Sequence, residues 1–205
     1  MKVKLCGFKD EASIKAAIAA SCDFLGFIFF DKSPRFISPK NAAIISKIIP
    51  GNIFKVAVVV DASENYLQEI VTEFSPDFFQ FHGQETPEFL EKTKKNFPQI
   101  KIIKAFKITK KQDLELAKAF ENCADFFLFD GEFAGSGKKF DWQILSDFSS
   151  KKEWFLSGGL NVNNVAEAIK TTGAKMIDVS SGIEEIRGEK SPKLITEFMA
   201  KLYSI

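Results

Sequence analysis

Eight short apolar runs, each followed by a helix-like segment, predict an α/β protein whose parallel sheet closes into a (β/α)8 TIM barrel. Three observations carry that reading. The alternation of the two patterns is strict along the chain. The runs are almost continuously apolar, as strands are when both faces of a parallel sheet are covered. The Gly-x-Gly-x-x-Gly turn that follows the first strand of an open dinucleotide-binding sheet is missing after Cys6. A length of 205 residues suits one domain, residues 1–205, near the small end of the range for such barrels.

The elements follow in order. Residues 3–6 read as the first strand. Ala12, Ile14, Ala17 and Ile18 recur at helical spacing within 10–21. The second strand, 23–30, runs out at Asp31-Lys32-Ser33-Pro34-Arg35. Ser38 is placed to cap the next helix, with Pro39 at its first position, and Pro50-Gly51 stops it after about Ile49. The third strand is 54–60, and Ser63 caps a helix to about Phe74. The fourth, 77–81, ends in His82-Gly83, and Thr86-Pro87-Glu88 starts a helix that ends near Phe97-Pro98. The fifth, 100–106, precedes a helix from about Lys110 to Glu121. The sixth, 125–129, ends at Asp130. A polar, glycine-containing loop, 131–139, reads as a mobile lid and leads to a short helix over 141–148.

The last two units repeat one device. Strand 154–156 breaks at Ser157-Gly158-Gly159, and Asn161 stands as N-cap of a helix from Val162 to about Lys170. Strand 176–179 breaks at Ser180-Ser181-Gly182. Ser191-Pro192 then opens the final helix, which reaches about Leu202. Small residues at a strand end that feeds a helix start leave backbone N–H groups free, and such groups suit an anion. Gly158, Gly159, Ser181 and Gly182 are therefore expected to form one phosphate cradle.

Composition narrows the function. Hydrophobic residues make up 45% of the chain and Phe occurs 23 times, ample for a full core. Lys and Arg number 28 against 27 Asp and Glu, with no basic stripe, so a nucleic-acid partner is not expected. The apolar residues near the N-terminus are too few and too interrupted, by Lys4, for a signal peptide. The longest apolar run, 24–30, is too short to cross a bilayer. Cys6, Cys22 and Cys123 are odd in number and widely spaced. They show neither a metal spacing nor a disulfide framework, and a reducing cytoplasm suits them.

In such barrels the chemistry sits at the carboxyl ends of the strands. Cys6 ends the first strand there, where a thiol can serve as more than core filler, and Gly7 beside it allows close approach of a substrate. Arg35 follows the second strand, and its fork suits a carboxylate. His82, the single histidine, ends the fourth strand, with Gln80 two residues earlier on the same side; both are expected to wall the site. Asp130 ends the apolar sixth strand, a partly desolvated carboxylate. The loop Gly135-Ser136-Gly137-Lys138 does not meet the Walker spacing of a nucleotide P-loop.

These positions fall within motifs that together resemble the phosphoribosylanthranilate isomerase family along essentially the whole chain. The motifs are Lys4-Leu5-Cys6-Gly7, Lys32-Ser33-Pro34-Arg35-Phe36, Gln80-Phe81-His82-Gly83 and Gly135-Ser136-Gly137-Lys138-Lys139-Phe140-Asp141-Trp142, then Ser157-Gly158-Gly159-Leu160 and Asp178-Val179-Ser180-Ser181-Gly182-Ile183-Glu184. Lys9, Gly131 and Ala134 depart from the family's pattern without removing a catalytic group. The resemblance implies an Amadori rearrangement of a phosphorylated amino-sugar in tryptophan biosynthesis. It places the catalytic base on Cys6, the catalytic acid on Asp130 and the carboxylate-binding arginine on Arg35. It further implies no cofactor, no metal, and a monomer or homodimer. Other sugar-phosphate barrels stay open at this point: a ribulose-phosphate epimerase, or an indole-forming synthase whose strand-end lysine would have to be Lys104. A catalytically silent metabolite-binding protein is the reading from another class.

Overall fold

The computed structural model describes residues 1–131, 141–146 and 148–205. Eight parallel strands close into a barrel in sequence order: β1 (Lys2–Cys6), β2 (Phe24–Ile28), β3 (Phe54–Val59), β4 (Phe78–Phe81), β5 (Lys101–Ile108), β6 (Phe126–Gly131), β7 (Trp154–Leu156) and β8 (Met176–Val179). Closure is the pairing of β1 with β8, in which Lys4 lies opposite Asp178.

Side chains cap the first turns of five helices. Asp10 accepts from the Ser13 amide at the start of α1 (Glu11–Ala19), and Ser38 from that of Asn41 at α2 (Pro39–Ile45). Ser63 caps α3 (Glu64–Phe74), Thr86 caps α4 (Pro87–Asn96), and Ser191 caps α6 (Pro192–Tyr203). Each cap satisfies an amide that a first helical turn leaves without a partner.

Four elements differ from expectation. The segment after β5 is a 3-10 helix, Lys111–Phe120, and that after β6 shortens to a single 3-10 turn, Trp142–Leu145. Asn161 does not cap α5. Its side chain accepts from the Asn163 amide in a local turn, which postpones the helix to Val165–Thr172. Beyond β8, a 3-10 turn at Ser181–Ile183 leads into a two-stranded hairpin, β9 (Glu184–Ile186) and β10 (Glu189–Lys190), that no sequence pattern announced. The expected lid lies, from residue 132 onward, outside the described residues.

Two hydrophobic layers hold the barrel. The outer one packs the helices on outward strand residues such as Leu5, Phe27, Val59, Phe81 and Phe129. The inner one fills the barrel with the alternate residues, among them Phe24, Val56, Phe78, Ile103, Leu128, Phe155 and Met176. Phe24 meets Phe155 and Phe78 edge-on at ring distances of 5.3 and 5.4 Å, and Phe78 meets Phe126 at 5.7 Å. This aromatic plug closes the amino-terminal half of the interior. The carboxyl-terminal half stays open as a pocket.

Candidate active site

Period two along each strand decides which side chains enter the pocket. On β1 it is Cys6, on β4 Gln80 followed by His82, on β6 Asp130, and on β8 Asp178 followed by Ser180. All six line one pocket of about 530 Å³ at the carboxyl ends of the strands. Arg35, Gly158, Gly159 and Ser181 line it as well. Eight of the nine residues expected at a site are thus brought together. The ninth, Gly182, lies behind the wall: a Cβ there would stand 1.9 Å from the Leu160 carbonyl oxygen, so the bare backbone lets the two loops touch.

The Cys6 sulfur is fitted against β2. A Cβ on Gly26 would fall 2.6 Å from it, so only glycine at that register leaves the thiol room. Gly7 serves differently from expectation. Its Cβ would meet the Cδ of Arg35 at 2.7 Å, so it makes space for the arginine stem and not directly for a substrate. Burial pushes the Cys6 thiol up. Lys4 pulls it back, Asp178 pushes it up again, Lys190 pulls it down, and the balance stays above the ordinary thiol value.

Asp130 faces His82 across the mouth, with Nε2 3.4 Å from Oδ2. The Nδ1 of His82 lies 3.4 Å from the Gln80 amide nitrogen. With Nδ1 accepting, the imidazole presents its Nε2–H to the carboxylate. The other side-chain atom of Gln80, Oε1, is buried and has no partner among the described residues.

Arg35 is held by a bidentate pair with Glu184, Nε to Oε1 at 2.7 Å and Nη2 to Oε2 at 2.8 Å. Lys190 and the Gly188 amide donate to the same carboxylate. Burial alone would raise the Glu184 carboxyl, but Arg35 and Lys190 outweigh it and hold it at about 2. The hairpin carries both Glu184 and Lys190 to the site, and Arg187 lines the pocket from the same turn.

Gly158 has φ +96, and its Cβ would meet the Gly131 nitrogen at 2.5 Å and Asp130 Oδ1 at 3.1 Å. Only glycine lets the β7 loop pass this close to the carboxylate. Gly159 has open space where a Cβ would stand, and its carbonyl accepts from Asn164 at 3.0 Å. Opposite, the first amides of the one-turn helix at Ser181–Ile183 lack intrahelical partners by construction.

Beneath the pocket lies a layer the sequence reading passed over. Lys4 is fully buried and donates to Asp178 Oδ1 at 2.8 Å, and Ser157 donates to Oδ2 at 3.1 Å. The available signal was the phase of Lys4, two residues before Cys6 in an otherwise apolar strand. Lys104, by contrast, faces outward between Phe106 and Phe120 and pairs with Glu85 at 2.8 Å. It does not line the pocket, so the strand-end lysine of an indole-forming synthase is not supplied there.

Comparison with known proteins agrees with this geometry. Residues 3–201 match the family model described as N-(5'phosphoribosyl)anthranilate (PRA) isomerase. The chain is 39% identical over 208 residues to the N-(5'-phosphoribosyl)anthranilate isomerase of Parvibaculum lavamentivorans, covering 97% of this chain and 96% of that protein. The crystal structure of phosphoribosyl anthranilate isomerase from Thermotoga maritima superposes with a TM-score of 0.90 at 31% identity, over 100% of both chains. A crystal structure of phosphoribosyl anthranilate isomerase in complex with reduced 1-(o-carboxyphenylamino)-1-deoxyribulose 5-phosphate superposes with a TM-score of 0.88 at 29% identity, again over 100% of both chains.

Proposed function

The chain belongs to the N-(5'-phosphoribosyl)anthranilate isomerase family and converts N-(5-phosphoribosyl)anthranilate to 1-(2-carboxyphenylamino)-1-deoxyribulose 5-phosphate, a step of tryptophan biosynthesis; we propose that it does so by general acid–base catalysis between Asp130 and Cys6. The observation that carries the mechanism is that these two groups, from β6 and β1, enter one pocket with β7 and β8 between them. They can flank a sugar without touching each other.

Asp130 gives its proton to the furanose ring oxygen. The C1–oxygen bond breaks, and the nitrogen lone pair forms the iminium. Cys6, as thiolate, removes the proton from C2. The C–H electrons form the C1–C2 double bond, and the iminium electrons return to nitrogen, giving an enolamine. The C2 hydroxyl then loses its proton, C1 gains one, and the ketone results. In the net change the hydrogens of C2 and its hydroxyl end on C1 and the former ring oxygen, and Asp130 and Cys6 return to their starting protonation states, so the reaction calls for no external oxidant or cofactor. Each assisted proton transfer contributes typically ~10²–10⁴ in rate.

The remaining groups bind and orient. The substrate is anionic at both ends, so its phosphate rests at Gly158-Gly159 and Ser181-Gly182, and its anthranilate carboxylate meets Arg35. Gln80 offers an unpaired amide oxygen to a sugar hydroxyl, and His82 orients the Asp130 carboxylate. The enzyme acts as a monomer or homodimer in a reducing cytoplasm, which suits its three free cysteines.

The direct test follows the loss of phosphoribosylanthranilate fluorescence with the purified protein. Turnover by the native chain, and its loss in Cys6→Ala and Asp130→Ala, is the expected result. Near-normal turnover by Cys6→Ala would remove the base from the mechanism.

A further inference from the structure

A thiolate in a buried pocket needs a nearby positive charge, because burial disfavours its ionised form. The structure provides an unusual one. Lys4 is a lysine with no exposed surface, inside the barrel, one interior position below Cys6 on the same strand. Its ammonium donates to Asp178 at 2.8 Å, and its positive charge favours the ionised form of the Cys6 thiol one interior position above it. Asp178 is in turn fixed by Ser157, so the ammonium is held from β8 and β7 while it serves β1.

We propose that Lys4 is the positioning residue of the base: its ammonium, pinned by Asp178, is the fixed counter-charge on which the Cys6 thiolate forms. The inference rests on the reading that Cys6 is the base. A purely structural role explains the site less well, since a buried ion pair is weak evidence for stability and apolar residues of similar volume would fill the same space.

The other charges facing the sulfur are accounted for. Lys190, on β10, adds a second positive charge, and Arg35, after β2, a third. Both are bound to Glu184, which neutralises much of their field. Asp178 opposes the thiolate, and its carboxylate is bound by Lys4 and Ser157. Burial works against the Lys4 charge, yet Asp178 and Cys6 together leave its pKa above the ordinary lysine value, so the ammonium keeps its proton wherever the thiol titrates. Gly26, on β2, brings no charge.

The test is the rate at which iodoacetamide alkylates Cys6 at a fixed pH below its pKa, read on the Cys6 peptide by mass spectrometry. There the rate follows the thiolate fraction, so one unit of pKa is a factor of ten. An opposite charge at this range is worth about 1–3 units, so Lys4→Met slows alkylation about 10- to 1000-fold. The double variant Lys4→Met/Asp178→Leu replaces the whole pair with apolar groups and keeps the barrel foldable without a lone buried carboxylate. It also slows alkylation, because the Lys4 charge acts on the sulfur more strongly than the Asp178 charge does. A merely structural Lys4 gives the opposite sign, since a loosened barrel exposes the sulfur and speeds the reaction. Unchanged or faster alkylation in the folded variants overturns the proposal. That outcome, with Cys6→Ala inactive, leaves the base assignment standing; an active Cys6→Ala defeats the assignment itself, whatever the alkylation rates.

Discussion

Cys6 and Asp130 face the same pocket, and each is asked to move one proton. Replacing either with Ala removes several orders of magnitude from kcat while the circular dichroism spectrum stays native. Cys6→Ser is also poor, because a hydroxyl ionises far less readily than a thiol. The Cys6 thiol lies above its ordinary value, burial being the largest cause. The rising limb of kcat/KM that it sets therefore falls on the alkaline side of a free cysteine's titration, near 8.5. A limb on the acid side of that value would contradict the pocket electrostatics. Arg35→Met removes a charge-assisted contact of roughly 1.5–3 kcal/mol to the substrate carboxylate and raises KM, with a smaller fall in kcat. Steady-state kinetics decide it: an unchanged kcat/KM would take Arg35 out of the binding site.

At the scale of elements, the β7 and β8 loops form one device. Gly182 lets them touch at Leu160, and Gly158 brings the first of them against Asp130. Crystals soaked in phosphate or sulfate should show the anion at the backbone of Gly158-Gly159 and Ser181-Gly182. Gly158→Ala combines a positive φ with a collision against the Gly131 backbone, and such strain costs about 1–3 kcal/mol. Thermal melts should record that loss, and product formation should fall with it because the displaced loop carries both the cradle and the wall of Asp130. A variant as stable and active as the native chain would show that the two loops can part. The β9–β10 hairpin is the second device. Its turn rests on the loop after β2, where a Cβ on Gly188 would stand 2.7 Å from the Pro34 carbonyl oxygen. That contact places Glu184 and Lys190 beside Arg35.

The whole molecule stands on its two concentric layers, and they answer separately. Phe24 is buried at the bottom of the interior among the rings of Phe54, Phe78 and Phe155. Phe24→Ala should cost about 3–5 kcal/mol in urea unfolding and leave kcat nearly unchanged, since the pocket lies at the other end of the barrel. A large loss of kcat in the folded variant would mean that the plug and the pocket are mechanically coupled. The Glu184 cluster ties the hairpin to the barrel and makes stability depend on pH. Its carboxyl sits at about 2 in the folded chain against 4.5 unfolded, so the stabilisation is complete above the unfolded value and is lost as pH falls through the folded one. The difference corresponds to about 3 kcal/mol. Between pH 4.5 and 2, Glu184→Gln should therefore show a flatter fall in stability than the native chain; parallel curves would exclude this carboxylate as the cause.

Much of this was legible in the residues alone. Apolar runs, caps and small-residue breaks are local, and they report how one segment is covered; that is why the barrel, the helix starts at Ser38, Ser63, Thr86 and Ser191 and the pocket-facing ends of β1, β4 and β6 follow from pattern. What crosses the chain does not. Lys4 and Asp178 are 174 positions apart, and Arg35 and Glu184 are 149. Each pair meets only because closure lays β1 against β8, or because the hairpin folds back on the loop after β2. Strands of three and two residues are too short to show a period, so the hairpin left no trace in the sequence. The residues proposed to do the chemistry stand where a strand ends, and that much is local. The charges set beside them were decided by which distant strand the closed barrel placed alongside.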